Sequence, residues 1–274
     1  MIIKKAYAKI NLALEVKNKI DGYHMVNNLM VPIDLYDDII LEESLEDIVL
    51  CNFDIKDNIC LKAIKMFKEK YNITSCVKVT INKRIPVMAG LAGGSTDCAN
   101  TLSGLCELFN VEKNDDELYE ICNKLGSDIS FFINTKLALC TNRGEVVNPV
   151  NINYEPINIL VVKPKVGLST KNVYSIYKWD KKDKTDKINN LVKALENNDL
   201  TRLEENIFND LEKCSLALSN ELNDLYSKYK ELELKPHVSG SGPSIFFINP
   251  SDNEETLIKS LLSNDDFLIK TQIK

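Results

Sequence analysis

Apolar and polar residues alternate near the start of the chain. In AYAKINLALEV, Ala6, Ala8, Ile10, Leu12, Leu14 and Val16 interleave with Tyr7, Lys9, Asn11 and Glu15. A period of two is the mark of a half-buried strand, so Lys9 and Asn11 are expected to project together from its less apolar face. Asp21-Gly22 is a turn signal, and NNLMVPIDL reads as a second extended segment. A helix is expected over 57–70, and a strand over 76–86 in CVKVTINKRIP. Beyond it, Cys98, Leu102, Leu105, Cys106 and Phe109 recur at helical spacing. A further helix is expected over 115–125, ended by Gly126 as a residue that tolerates a left-handed cap.

After the apolar ISFFI the pattern restarts at INILVV, preceded by Pro156 and polar residues, which places a boundary near residue 153. The run WDKKDKTDK reads as an exposed loop, long helical patterns fill 187–230, and HVSGSGPSIFFIN makes a glycine-rich turn into a strand. The architecture expected is α+β in two parts, 1–153 and 154–274.

The two glycine-rich junctions carry the candidate chemistry. PVMAGLAGGSTDCAN, residues 86–100, runs from a strand into a helix, where the first N–H groups have no internal partner and favour an anion. Gly90, Gly93 and Gly94 allow close backbone approach. Ser95 and Thr96 can cap the helix, donate to phosphate oxygens or help hold a phosphate-bound magnesium. No Lys-Ser or Lys-Thr pair closes the loop, so it is not the common nucleotide loop. The residues alone leave open a flexible turn with a hydroxyl cap. Similarly, Lys9 and Asp128 taken alone fit a strand-to-loop salt bridge as well as a catalytic pair.

Composition narrows the setting. An apolar fraction of 44% and a charged fraction of 27% over 274 residues are those of a globular protein. A net charge of -6 without a basic stripe argues against nucleic acid. Eight cysteines without a signal peptide or CxxC spacing, alongside two histidines, favour buried thiols in a reducing cytoplasm over disulfides or a metal cluster. No apolar run is long enough to span a bilayer, so no membrane association is expected.

The loop resembles that of the GHMP kinases (galactokinase, homoserine kinase, mevalonate kinase and phosphomevalonate kinase). Their Pro-x-x-x-Gly-Leu-x-Ser/Gly-Ser pattern is matched by Pro86, Gly90, Leu91, Gly94 and Ser95. The N-terminal lysine strand and the late Gly240-Ser241-Gly242 turn also have counterparts there, so the resemblance spans most of the chain. It implies a two-domain GHMP kinase fold, with an N-terminal ATP-binding domain, a C-terminal ferredoxin-like domain and the active site between them.

By the same resemblance ATP, with Mg2+, is held by Pro86, Val87, Met88, Ala89, Gly90, Leu91, Ala92, Gly93, Gly94, Ser95 and Thr96. Asn58 stands at the adenine side, where capping the following helix explains it almost as well. Lys9 and Asp128 match the family's catalytic lysine and aspartate. Asp21-Gly22-Tyr23-His24 and Leu125-Gly126-Ser127-Asp128 narrow the resemblance to members whose small-molecule acceptor is a methylerythritol bearing a cytidine diphosphate group. Tyr23, His24 and Tyr174 would then hold the base, with Tyr177 competing for the last place; Thr170 and Asn11 would reach the rest of the acceptor. The loop departs from the family in Ala92, where glycine is common, in Thr96 for serine, and in Met88 for a small residue. The protein ligands of the metal stay open. A monomer or weak homodimer is expected.

Overall fold

A computed structural model describes residues 1–55 and 57–274. β1 (Ile2–Ile20) and β2 (Tyr23–Ser44) form one long antiparallel hairpin. Its turn is Asp21-Gly22, with φ of 50° and 82°, the two left-handed residues that a tight hairpin turn requires. β3 (Ile48–Cys51), α1 (Ile59–Tyr71) and β4 (Cys76–Asn82) follow, and β4 extends the sheet on β2. Then come α2 (Gly93–Leu108), α3 (Asp115–Leu125), a 3-10 turn (Ser130–Ile133) and the short pair β5 (Ala138–Thr141) and β6 (Val146–Pro149).

The second half runs β7 (Ile157–Lys163), α4 (Thr170–Ile176), α5 (Thr185–Glu196), α6 (Leu200–Asn206), β8 (Phe208–Asn209) and α7 (Glu212–Ala217). It continues through α8 (Asn220–Glu231), β9 (His237–Val238), β10 (Ile245–Ile248), α9 (Asp252–Ser260) and β11 (Phe267–Ile273). Its sheet is antiparallel in the order β11-β7-β10-β9, the ferredoxin-like arrangement. Ile273 of β11 pairs with Ile33 of β2, so the two sheets share an edge. One apolar cluster likewise joins Ala8, Ile10 and Leu91 to Ile159, Leu191 and Phe246.

Helix α2 packs on β2 where Gly104 stands: a Cβ there would lie 2.4 Å from Leu41 Cδ1, so only glycine lets the helix come this close. The expected helical positions Cys98, Leu102, Leu105 and Cys106 are all buried in that contact. Among the described residues, no helix is long and apolar enough to cross a membrane. The cysteines are free, most of them buried among aliphatic side chains.

Three local expectations need correction. From Ala8 to Val16 both faces of β1 are buried, so the strand is not half-buried there, and Lys9 and Asn11 point into the protein. Gly126 ends α3 in an extended conformation, φ 171°, not a left-handed one, because the chain leaves directly for the turn that carries Asp128. The strand expected to reach 86 stops at Asn82, and Asp37 is the reason. Its Oδ1 accepts the backbone N–H groups of Arg84 and Ile85, replacing a ladder partner, while its Oδ2 receives Lys83 Nζ at 2.7 Å.

Lys83 also donates to Asp97 Oδ2 at 2.6 Å, leaving two buried carboxylates for one ammonium and Asp97 Oδ1 without a partner among the described residues. Burial pushes the Asp97 carboxyl up to about 7, with Lys83 pulling the other way. The folded state therefore retains a proton that the unfolded chain, with an ordinary value of 3.8, has released. Stability from this group is full below the unfolded value and is lost as pH rises through the folded one. Asp97→Asn is expected to stabilise the protein by ~1 kcal/mol at pH 8 and to change it little at pH 5, measured by urea unfolding. A loss at pH 8 would show that the second carboxylate is needed ionised.

Candidate active site

A cavity of about 1070 Å³ opens between the two glycine-rich loops and the tip of the β1–β2 hairpin. That volume lies at the upper end of the range of ligand-binding clefts. Lys9, Asn11, Tyr23, His24, Asp128, Thr170 and Tyr174 line it, as do Pro86 to Gly90 and Ala92 to Ser95.

At one end stands the N-terminus of α2. Ala92 precedes it with φ 56° and offers no side-chain cap, so the first-turn N–H groups face the cavity unfilled. Met88, Gly90 and Ala92 all adopt positive φ, with Gly90 at 74°. A Cβ on Gly90 would sit 2.3 Å from the Ser239 carbonyl oxygen and 2.9 Å from that of Gly242. The phosphate-type loop and the late loop thus touch backbone to backbone. Ser239 Oγ seals the contact by donating to the Gly90 carbonyl at 3.1 Å, and Ser244 N–H donates to the Ala89 carbonyl at 3.3 Å.

Lys9 rises from β1 at the centre. Its Nζ donates to Asn11 Oδ1 at 2.6 Å and to the Gly90 carbonyl at 3.1 Å, and Asn11 Nδ2 donates to Asn28 Oδ1 at 2.7 Å. Burial lowers the Lys9 ammonium below the usual lysine range, and the Asp128 carboxylate opposes that shift by attraction. The expected Lys9–Asp128 pair is therefore an attraction across the cleft, while the hydrogen bonds of Lys9 go elsewhere. Both groups line the same cavity. Asp128, half-buried, lies opposite Gly144, where even an added Cβ would stay 3.6 Å from Oδ1.

The far end is aromatic. Tyr23, 59% exposed, sits at the hairpin tip with the Arg143 guanidinium 5.1 Å above its ring. His24 lies 5.7 Å from Tyr174 and 5.6 Å from Tyr177. Its Nδ1 is 3.0 Å from the Lys17 carbonyl, which only accepts, so Nδ1 carries the proton. Nε2, the other ring nitrogen, is buried and without a partner among the described residues. Thr170 Oγ1 meets Ser241 Oγ at 2.9 Å, tying α4 to the late loop.

Three residues expected at the nucleotide do not line the cavity. Leu91 is fully buried in the core shared by both halves. Thr96 is also fully buried, its hydroxyl accepting from Asn100 Nδ2 at 3.3 Å. Asn58 caps α1, accepting from Cys60 N–H at 3.0 Å, and Ile55 and Ile59 line the wall nearby. Tyr177 stands behind His24, its hydroxyl donating to the Val16 carbonyl at 2.8 Å. Arg143, Asn28, Lys19 and Lys171, which the sequence reading did not single out, line the cavity. The GEVV turn beside Arg143 and the alternation of β2 at Asn28 were the only local signals.

An anion-binding helix start, a buried lysine facing a carboxylate and a second pocket for a flat ring describe a small-molecule kinase site. The chain belongs to the GHMP kinase family: the family models for the GHMP kinases N terminal domain and the GHMP kinases C terminal match residues 58–136 and 191–264. The chain is similar to the 4-diphosphocytidyl-2-C-methyl-D-erythritol kinase of Clostridium botulinum (strain Hall), 40% identical over 252 residues, covering 89% of this chain and 90% of that one. The enzyme of that name from Clostridium beijerinckii is 39% identical over 249 residues, covering 88% and 89%.

Among solved structures, a 4-(cytidine 5'-diphospho)-2C-methyl-D-erythritol kinase superposes over 100% of both chains with a TM-score of 0.79 at 24% identity. Streptococcus pneumoniae phosphomevalonate kinase, in complex with phosphomevalonate and AMPPNP, superposes with 0.71 at 14% identity, over 100% of both chains. Both show the same two-domain fold.

Proposed function

We propose that this enzyme transfers the γ-phosphoryl group of ATP to the 2-hydroxyl of 4-diphosphocytidyl-2-C-methyl-D-erythritol, a step of non-mevalonate isoprenoid precursor biosynthesis. The observation that carries the reading is one cavity holding three features at once. They are the open α2 N-terminus, Lys9 facing Asp128, and the Tyr23–His24–Tyr174 cluster. The domains are taken as 1–153, carrying the nucleotide loop, and 154–274, carrying the late loop.

The chemistry follows from position and charge. Phosphoryl transfer needs the acceptor oxygen in line with the γ-phosphorus and charge stabilisation on the transferring group. The first-turn N–H groups of α2 cradle the ATP phosphates, and the glycines let them approach. Asp128 accepts the proton of the 2-hydroxyl as its oxygen bonds to phosphorus and the bond to the β-phosphate oxygen breaks, releasing ADP. Lys9, short of charge partners while the site is empty, regains them against the phosphoryl oxygens. Asn11, fixed by Asn28, holds its place beside Lys9 for the acceptor's hydroxyls. At the far end the cytosine stacks between Tyr23 and Tyr174, and the unpartnered His24 Nε2 accepts from its amino group.

Among the described residues no group of three His, Cys, Asp or Glu side chains is arranged as a metal cage. That suits Mg2+, which travels on ATP and needs few protein ligands. Ser95 supplies a hard oxygen donor on the cavity wall beside the phosphate cradle and would help hold it, where it would neutralise phosphate charge.

The test is ADP release from ATP and Mg2+ by the purified protein with four acceptors in parallel: the cytidyl compound, homoserine, mevalonate and galactose. Release with the cytidyl compound alone is the expected result. Release with another acceptor keeps the kinase and removes the base pocket; silence with all four, despite ATP binding, removes the enzyme reading.

A further inference from the structure

The hairpin that carries Tyr23 and His24 is irregular just before its tip. Val16 pairs with Val26 and Lys19 with His24, so β1 holds one residue more than β2 between those pairs. Residues in such a bulge lose ladder partners and re-aim their neighbours. Just before it, side chains from the second half of the chain hold the edge of β1 that continues from β8. Asp210 Oδ2 accepts the Val16 N–H at 2.9 Å, and the Tyr177 hydroxyl donates to the Val16 carbonyl at 2.8 Å. The next carbonyl, that of Lys17, is the one to which His24 Nδ1 donates.

Asp210 is itself held. Lys184 Nζ donates to its Oδ1 at 2.5 Å, and the Lys184 N–H donates to Glu15 Oε1 at 2.9 Å. The lysine-rich run that reads as an exposed loop is thereby pinned to β1 at Lys184. Asp210 follows directly on β8, which pairs in parallel with Ala13 and Leu14, so the backbone fixes where its carboxylate falls. The Tyr177 ring packs edge-on to His24, giving the imidazole a wall as well as a tether.

We infer that Asp210 and Tyr177 are positioning residues for base recognition: they hold Val16 at the start of the Lys17–Asn18 bulge, and through it fix the tautomer and orientation of His24. The acceptor end of the site is then set by the second half of the chain, although Tyr23 and His24 both belong to the first. The inference rests on the proposed role of His24 at the cytosine.

The experiment compares Asp210→Asn, Tyr177→Phe and His24→Ala, each alone and with the first two also made in the His24→Ala background. KM is measured for ATP and for the cytidyl acceptor, and kcat for each variant. Asp210→Asn and Tyr177→Phe are each expected to raise the acceptor KM roughly 10-fold, the effect of one lost strong hydrogen bond. The KM for ATP and kcat are expected to stay within about threefold. In the His24→Ala background neither change should add more than about twofold, because residues acting through a common partner are not additive.

Full additivity, or a matching rise in the KM for ATP, would overturn the inference while leaving His24 at the base. An unchanged acceptor KM in His24→Ala would overturn the base pocket itself. Tyr177→Phe removes one hydroxyl and keeps the ring, so it decides the question even if Asp210→Asn does not fold.

Discussion

Asp128→Asn is expected to lower kcat by roughly 10³-fold while nucleotide affinity stays near that of the parent protein. The substitution keeps shape and volume, and asparagine can still accept a hydrogen bond from the acceptor hydroxyl. It cannot take the proton. Neither helix α2 nor the loop at 86–95 depends on Asp128 for a hydrogen bond, so the phosphate cradle is untouched. Lys9 loses its facing carboxylate but keeps Asn11 and the Gly90 carbonyl. Binding of a fluorescent ATP analogue and single-turnover kinetics separate the two effects. A kcat within a few-fold of the parent would reduce Asp128 to orienting the hydroxyl.

Gly90→Ala is expected to act on both fold and activity. The new Cβ would meet two backbone carbonyl oxygens, at 2.3 and 2.9 Å, and no rotamer change relieves a clash with main chain. The residue also sits at φ 74°, where a side chain is strained regardless of space. Overpacking with backbone shifts costs about 1–3 kcal/mol and the lost glycine conformation adds to it, so a drop of about 3 kcal/mol in urea unfolding is expected. The Gly90 carbonyl holds both Lys9 Nζ and Ser239 Oγ, so kcat/KM should fall by at least about 100-fold as the loops part. Gly94→Ala is the comparison. Its Cβ would meet nothing within 4 Å, so stability should hold and only the approach of the phosphates should suffer. Equal stability for both variants would show that the contact between the loops is slack.

Much of the site was legible because local rules govern it. Alternation in β1 placed Lys9 beside Asn11, the glycines marked the two loops, and helix α3 fell on 115–125 as its periodicity requires. What escaped depends on distant partners. The helical pattern over 187–230 hides a break at Phe208–Asn209, since a two-residue strand has no period and is defined only by Ala13 and Leu14 of β1. The alternation of β1 does not announce its bulges, because an extra residue shows only against the register of β2. Thr96 reads as a ligand donor by type, and only the packing of α2 turns it away from the cavity and into the core. Asn58 fits two roles by type, and only the contact with Cys60 N–H assigns the cap. Arg143 reaches the site by crossing from the turn after β5 to the hairpin tip, a contact that no spacing in the sequence encodes.

The cationic lining of the cleft bears on how the substrates arrive. The chain carries a net charge of -6, and a nucleoside triphosphate and a cytidine diphosphate ester are both polyanions, so the surface at large repels them. Inside the cavity the balance reverses. Lys9, Lys19, Arg143 and Lys171 line it against the one carboxylate of Asp128, while Lys83 is already matched by Asp37 and Asp97. A small positive basin in an acidic field captures anions only over a short range. At physiological ionic strength that range is about 8 Å, so encounter is gated at the cavity mouth. Added salt weakens the outer repulsion along with the inner attraction, so the two act on the capture rate in opposite directions.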